Sequence, residues 1–281
     1  MNRRDFIEGA AAVTAFTLVG EAPAEAFTST RMTVTVRGAG PDVILIPGLT
    51  NGPSLWNGTV AAVPGYRYHI VQVAGFAGSP ARGNAEGRVV ASQAEEIARY
   101  IAAAKLSRPA LIGHSMGGVV AMMIASRYPA RAGKVMAIDI LPQPASGFGF
   151  AGLEVGPLAD ALFGSLMATP NGRRTLDNLI GRFGGSGIAS SRSDSSVVAH
   201  ATRELANTDL RADLPKMRAP LTVVYAVPMD AADAVAIDRL YRSSYVGAKG
   251  VRLRRVPGAS HMIMYSQPQR FYLEVRGFLA T

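Results

Sequence analysis

The chain has 281 residues, 48% hydrophobic and 17% charged, which suits one large globular domain, or one domain with an insertion, and excludes a disordered chain. Cysteine is absent, which excludes disulfides, thiolate metal sites and a cysteine nucleophile; the four histidines, His69, His114, His200 and His261, form no closely spaced pair, which argues against a metal centre. The formal charge of +9 comes mostly from Arg placed singly or in pairs, so a basic, soluble surface is expected and not a nucleic-acid interface.

At the N-terminus, Asn2-Arg3-Arg4-Asp5-Phe6-Ile7 resembles a twin-arginine export signal. An Ala-rich apolar stretch follows over residues 9–20, then Pro23 and Ala24-Glu25-Ala26, an A-x-A cleavage pattern. These features predict an export signal peptide over residues 1–26, a mature start at Phe27 and a periplasmic or secreted product. No apolar run approaches the roughly 20 residues that span a bilayer, so no stable membrane span is expected after leader removal.

Residues 32–36 alternate as a strand does, and residues 42–46 form an apolar run ending at Pro47-Gly48, as a buried strand would. Residues 68–73 repeat that pattern and end at Ala74-Gly75-Phe76-Ala77-Gly78. Val90, Ala94, Ile97 and Ile101 recur at helical spacing within residues 89–104. A short strand over 109–112, a helix over 116–127 and a strand over 134–138 follow, the last ending at Asp139. The alternation then stops. Residues 142–215 are rich in Gly and Ser, with helical pieces near 158–167 and 197–205. It resumes with a strand at 221–226, a helix near 232–245, a strand at 251–256 and a last helix over 267–279. This predicts a mostly parallel α/β sheet with helices on both faces. Its core is expected over 27–141 and 216–281, with a helical cap over 142–215 at the sheet edge where open α/β sheets bind ligands.

Gly113-His114-Ser115-Met116-Gly117 is a G-x-S-x-G motif between a predicted strand and a predicted helix. That setting holds a serine in a tight turn with its hydroxyl above the sheet, beside the free N–H groups of a helix N-terminus. The backbone N–H of Met116 is one candidate oxyanion donor; that of Leu49, in the loop after the 42–46 strand, is the second. A serine hydroxyl needs a base. His261 follows the 251–256 strand and the turn Pro257-Gly258-Ala259-Ser260, which places it on the serine's side of the sheet. The base needs a carboxylate. Asp230, after the 221–226 strand and before a helix, is the expected one; Asp139 and Asp233 are the alternatives.

These pieces, with Ile46-Pro47-Gly48 and Gly75-Phe76-Ala77-Gly78-Ser79, resemble the α/β-hydrolase superfamily over roughly residues 32–279, in its serine esterase and lipase branch. The resemblance implies a carboxylic ester or lactone hydrolase acting through a covalent acyl-enzyme, with no cofactor and a small-molecule acyl substrate. An acyltransferase, a carbon–carbon bond hydrolase and a non-catalytic binder are its rivals. Phe76 from the core, with Phe148, Phe150 and Leu153 from the cap, are expected to line an apolar acyl pocket.

Overall fold

The computed structural model describes residues 27–147 and 191–281. Strands β1 (Met32–Arg37), β2 (Asp42–Ile46), β3 (Arg67–Val73), β4 (Ala110–His114), β5 (Lys134–Ile138), β6 (Leu221–Val227) and β7 (Arg252–Pro257) form one sheet in the order β1-β3-β2-β4-β5-β6-β7. β1 runs antiparallel to β3, and the other five pairings are parallel.

The central strands read as continuous apolar runs because both their faces are covered. Successive side chains point to opposite faces. Ile44 and Ile46 of β2 therefore join Leu111, Val119, Val120 and Ile97 in one core cluster, while Val43 and Leu45 join Trp56, Ile112, Met136 and Phe271 in the other. Helices α2 (Val90–Ala103) and α3 (Met116–Arg127) bury themselves in the first cluster; the short α1 (Asn57–Ala62) lies over the second face. Beyond a one-turn α4 (Pro144–Gly147), the described elements are α5 (Ser195–Ala206), α6 (Ala231–Ser244), α7 (Ile263–Ser266) and α8 (Pro268–Ala280). The short α1 and α7 carry no helical apolar period long enough to read in the sequence.

Most of the expected cap, including the helix expected near 158–167, lies outside the described residues, as does the expected leader. Residues 191–215, the last part of the expected cap, are described and are tied to the core at two places. The Glu204 carboxylate of α5 accepts hydrogen bonds from the N–H groups of Val89, Val90 and Ala91 at 2.8 Å each. Those are free donors at the start of α2, whose own N-cap residue, Val89, supplies no side-chain acceptor. A distant carboxylate thus does the work of a local cap and complements the helix dipole. Ahead of α5, Asp194 N donates to Gly75 O at 2.7 Å and Gly78 N to Arg192 O at 3.0 Å. This anchors the segment against the loop that follows β3.

The strand order also locates a crevice. From β2 the chain moves to β3 on one side; from β4 it moves to β5 on the other. The connections therefore diverge at the carboxyl ends of β2 and β4, where Ile46 pairs with Gly113. Ligands of open α/β sheets bind at such a switch point.

Candidate active site

Ser115 stands at that point, between the last residue of β4 and the first of α3, with φ 52° and ψ −120°. A non-glycine residue is strained there, and such strain persists only where neighbours over-determine it. Ser115 N donates to Ile138 O at 2.9 Å, and Ser115 O accepts from Gly118 N at 2.8 Å. The flanking glycines are sterically required. A β-carbon on Gly113 would stand 2.1 Å from Gly117 O, and one on Gly117 would stand 2.2 Å from Ile46 O. Met116 is the first residue of α3, so its N–H has no partner within the helix and lies beside the serine.

The loop after β2 packs on this turn. A β-carbon on Gly48 would lie 3.2 Å from Ser115 Cβ and 2.8 Å from His114 Nδ1, so only glycine lets the loop approach. Residues 48–51 close a tight turn: Asn51 N donates to Gly48 O at 3.1 Å and Asn51 Nδ2 to Leu49 O at 3.0 Å. Thr50 takes φ 63°, at the third position of that turn, where glycine is usual. Leu49 is half-buried against the first core cluster, next to the serine turn.

His261 lies in the turn between β7 and α7. Its Nδ1 is 2.7 Å from Oδ2 of Asp139, with the two side chains 17% and 11% exposed. The expectation of Asp230 in this place is corrected. Asp230 is exposed and serves as the N-cap of α6, its Oδ1 accepting from Ala232 N at 2.9 Å and Asp233 N at 3.0 Å. Strand β6 continues through Val227 and α6 begins at Ala231, so this carboxylate is committed to the helix it starts. Asp233, also exposed, lies in the first turn of the same helix. Asp139 directly follows β5, the neighbour of β4, and takes φ 49°, with its N–H donating to Val224 O at 2.7 Å. Its carboxylate Oδ1 accepts from Ala226 N at 2.8 Å and from the Tyr241 hydroxyl at 3.2 Å.

His114, the residue before the serine, is fully inside. It is 1% exposed, and its ring lies 4.7 Å from that of His261. Burial, and then the neighbouring His261, hold its pKa down at about 3. The ring is therefore neutral, and its Nε2–H donates to His261 O at 3.0 Å. This bond joins the residue before the serine to the backbone of the candidate base, and no sequence signal marks it.

Phe76 has no exposed surface and belongs to the core cluster that holds Met116 and Val197. Phe148, Phe150 and Leu153 lie outside the described residues. His69, on β3, is held between Tyr100 at 2.7 Å and Asp42 at 2.8 Å. Among the described residues no group of three His, Cys, Asp or Glu side chains is placed to hold a metal ion.

Comparison with known proteins agrees with this fold. A pimeloyl-[acyl-carrier protein] methyl ester esterase of Aeromonas hydrophila is 27% identical over 258 residues, covering 86% of this chain and 96% of that protein. Among solved structures, an esterase from Exiguobacterium antarcticum superposes with a TM-score of 0.68 at 18% identity, over 89% of this chain and 96% of that one. The enol-lactonase from Burkholderia xenovorans LB400 superposes with a TM-score of 0.63 at 18% identity, over 89% and 96% respectively. The model of the Alpha/beta hydrolase family matches residues 43–275, most of the chain, and the protein belongs to that family.

Proposed function

We propose that the protein hydrolyses carboxylic esters or lactones through an acyl-enzyme on Ser115, with His261 as base and Asp139 as the carboxylate behind it. The observation that carries this reading is the strained Ser115 at the β4–α3 junction, on the edge where Asp139 holds His261 at 2.7 Å. Ester and lactone chemistry in the names of the relatives supports the substrate class.

Asp139, an acceptor only, takes the Nδ1–H of His261 and leaves Nε2 free to accept a proton. Ser115 Oγ attacks the carbonyl carbon as its proton passes to Nε2. The negative charge on the carbonyl oxygen is held by the N–H groups of Met116 and Leu49. The intermediate collapses, the carbonyl carbon–oxygen single bond breaks, and the leaving oxygen takes the proton from Nε2. Water then attacks the acyl-enzyme, gives a proton to Nε2, and releases the acid as that proton returns to Ser115. Phe76 with Phe148, Phe150 and Leu153 of the cap would shape the acyl pocket.

A panel of p-nitrophenyl esters of increasing chain length, with one lactone and one amide, tests the reading. Turnover of the ester or lactone, abolished in folded Ser115→Ala, is expected; full turnover in that variant, or none in the folded native chain, overturns it. We also propose export through residues 1–26. Phe27, the expected first mature residue, packs edge-on against Tyr100 at 5.2 Å between ring centres. The mass of the exported product should correspond to a start at Phe27; one that still begins at Met1 contradicts cleavage.

A further inference from the structure

We propose that Tyr241 is a positioning residue for the Asp139–His261 pair: its phenol, reaching across from α6, locks the carboxylate with Oδ2 toward the imidazole and moderates its basicity. The proposal rests on the triad reading above.

The two oxygens of Asp139 have separate partners. Oδ2 faces His261 Nδ1 at 2.7 Å, while Oδ1 accepts from Ala226 N at 2.8 Å and the Tyr241 hydroxyl at 3.2 Å. An ionised carboxylate can only accept, so the phenol must donate. Tyr241 is 7% exposed, and burial, then the charge of Asp139, push its pKa well above the usual phenol range. It therefore remains a donor throughout the working pH range. The ring is clamped as well, stacked 4.1 Å from Tyr225 and 6.4 Å from Tyr245 between ring centres. The three hydroxyls have different targets. Tyr225 bonds Asp238 at 2.8 Å, Tyr245 bonds the backbone oxygen of Ile140 at 2.6 Å, and Tyr241 alone of the three bonds Asp139.

Two consequences follow from the chemistry. With Oδ1 held by two donors, the carboxylate cannot rotate away from the imidazole. The second donor also draws charge from the carboxylate, which weakens its pull on the His261 proton. The ionisable groups facing this pair are Tyr241 from α6, Tyr245 just after that helix, and His114 from β4, whose ring lies beside that of His261. Among the described residues no ion pair to Asp139 other than that of His261 is present.

Tyr241→Phe keeps the ring stack and removes only the donor. Loss of this hydrogen bond to a charged group lets the carboxylate turn from the imidazole and should lower kcat about tenfold, which outweighs its gain in basicity. KM should stay within about twofold, because interactions made only in the transition state leave ground-state binding unchanged. The freed carboxylate stabilises the imidazolium more, so the acid limb of kcat/KM should move up by about 0.5 pH unit. Tyr225→Phe, which removes the same atom from the neighbouring ring, should leave kcat and the acid limb unchanged. A difluorotyrosine at position 241, a stronger donor that keeps the hydroxyl, should move the acid limb down, and it serves should Tyr241→Phe fold poorly. Native kcat and acid limb in Tyr241→Phe, or equal shifts in Tyr225→Phe, overturn the proposal. Asp139→Asn in the same assay separates the two claims. If that variant keeps native turnover the triad reading fails; if it collapses while Tyr241→Phe is silent, only the role of Tyr241 fails.

Discussion

Asp139→Asn should nearly abolish turnover, whereas Asp230→Asn should leave it intact. In the structure Asp139 Oδ1 is held by Ala226 N and Tyr241, so an asparagine would keep its carbonyl oxygen there and turn its NH2 toward His261 Nδ1. That group donates where the carboxylate accepted. The imidazole must then carry its proton on Nε2 and cannot receive one from Ser115. In the serine-protease template this change of tautomer lowers kcat by about 10⁴, or about 5.5 kcal/mol of barrier, and a loss of about 10³ to 10⁴ is expected here. Asp230 bonds the N–H groups of Ala232 and Asp233 in the first turn of α6, and asparagine caps helices about as well as aspartate, so its stability cost should be a few tenths of a kcal/mol. The assay is kcat/KM on a p-nitrophenyl ester hydrolysed by the native chain, with circular dichroism to confirm folding. More than one-tenth of native activity in Asp139→Asn, or a larger loss in Asp230→Asn, would refute the assignment of the acid.

Three further outcomes are expected. Backbone strain at Ser115 should be relieved by glycine and not by alanine, so Ser115→Gly should be more stable than Ser115→Ala by about 1 kcal/mol, or about 3 °C in Tm. Equal melting temperatures would show that the turn stores no strain. Glu204→Ala leaves three N–H groups at the start of α2, that of the N-cap Val89 included, unpaired and should cost about 2–3 kcal/mol in urea unfolding, against well under 1 kcal/mol for an ordinary surface glutamate. His114 binds a proton near pH 3 when folded and near 6.5 when unfolded, so below pH 6.5 the unfolded chain holds the extra proton. Stability is thus full above that value and declines toward pH 3, by up to about 1.4 kcal/mol per pH unit from this residue. Urea unfolding across pH 4–7 should show a shallower slope in His114→Gln; an unchanged slope would contradict the buried neutral ring.

What can be read from the sequence is what local pattern controls. Apolar runs of strand length separated by amphipathic helices reveal the sheet, since a strand covered on both faces has no polar side to show. The serine turn is legible because its glycines are steric requirements of one short segment, and His261 because it stands in a turn after a strand. Asp139 against Asp230 is not decidable from pattern, because both follow strands that end at the same edge. The outcome depends on β6 extending to Val227 and on α6 starting one residue after Asp230. Tyr241, Glu204 and the His114–His261 bond are invisible for a different reason. Each acts on a group 102 to 147 residues away in the chain, and only the folded arrangement of strands brings them together.

Every step of the proposed reaction starts from Ser115 as the nucleophile. Incubation of the native chain with a fluorophosphonate, followed by intact mass and peptide mapping, reads that atom directly. One adduct per chain is expected, on the peptide that carries Ser115, with parallel loss of ester turnover and no adduct in Ser115→Ala. An adduct on another serine, or undiminished turnover in chains labelled at Ser115, would contradict it.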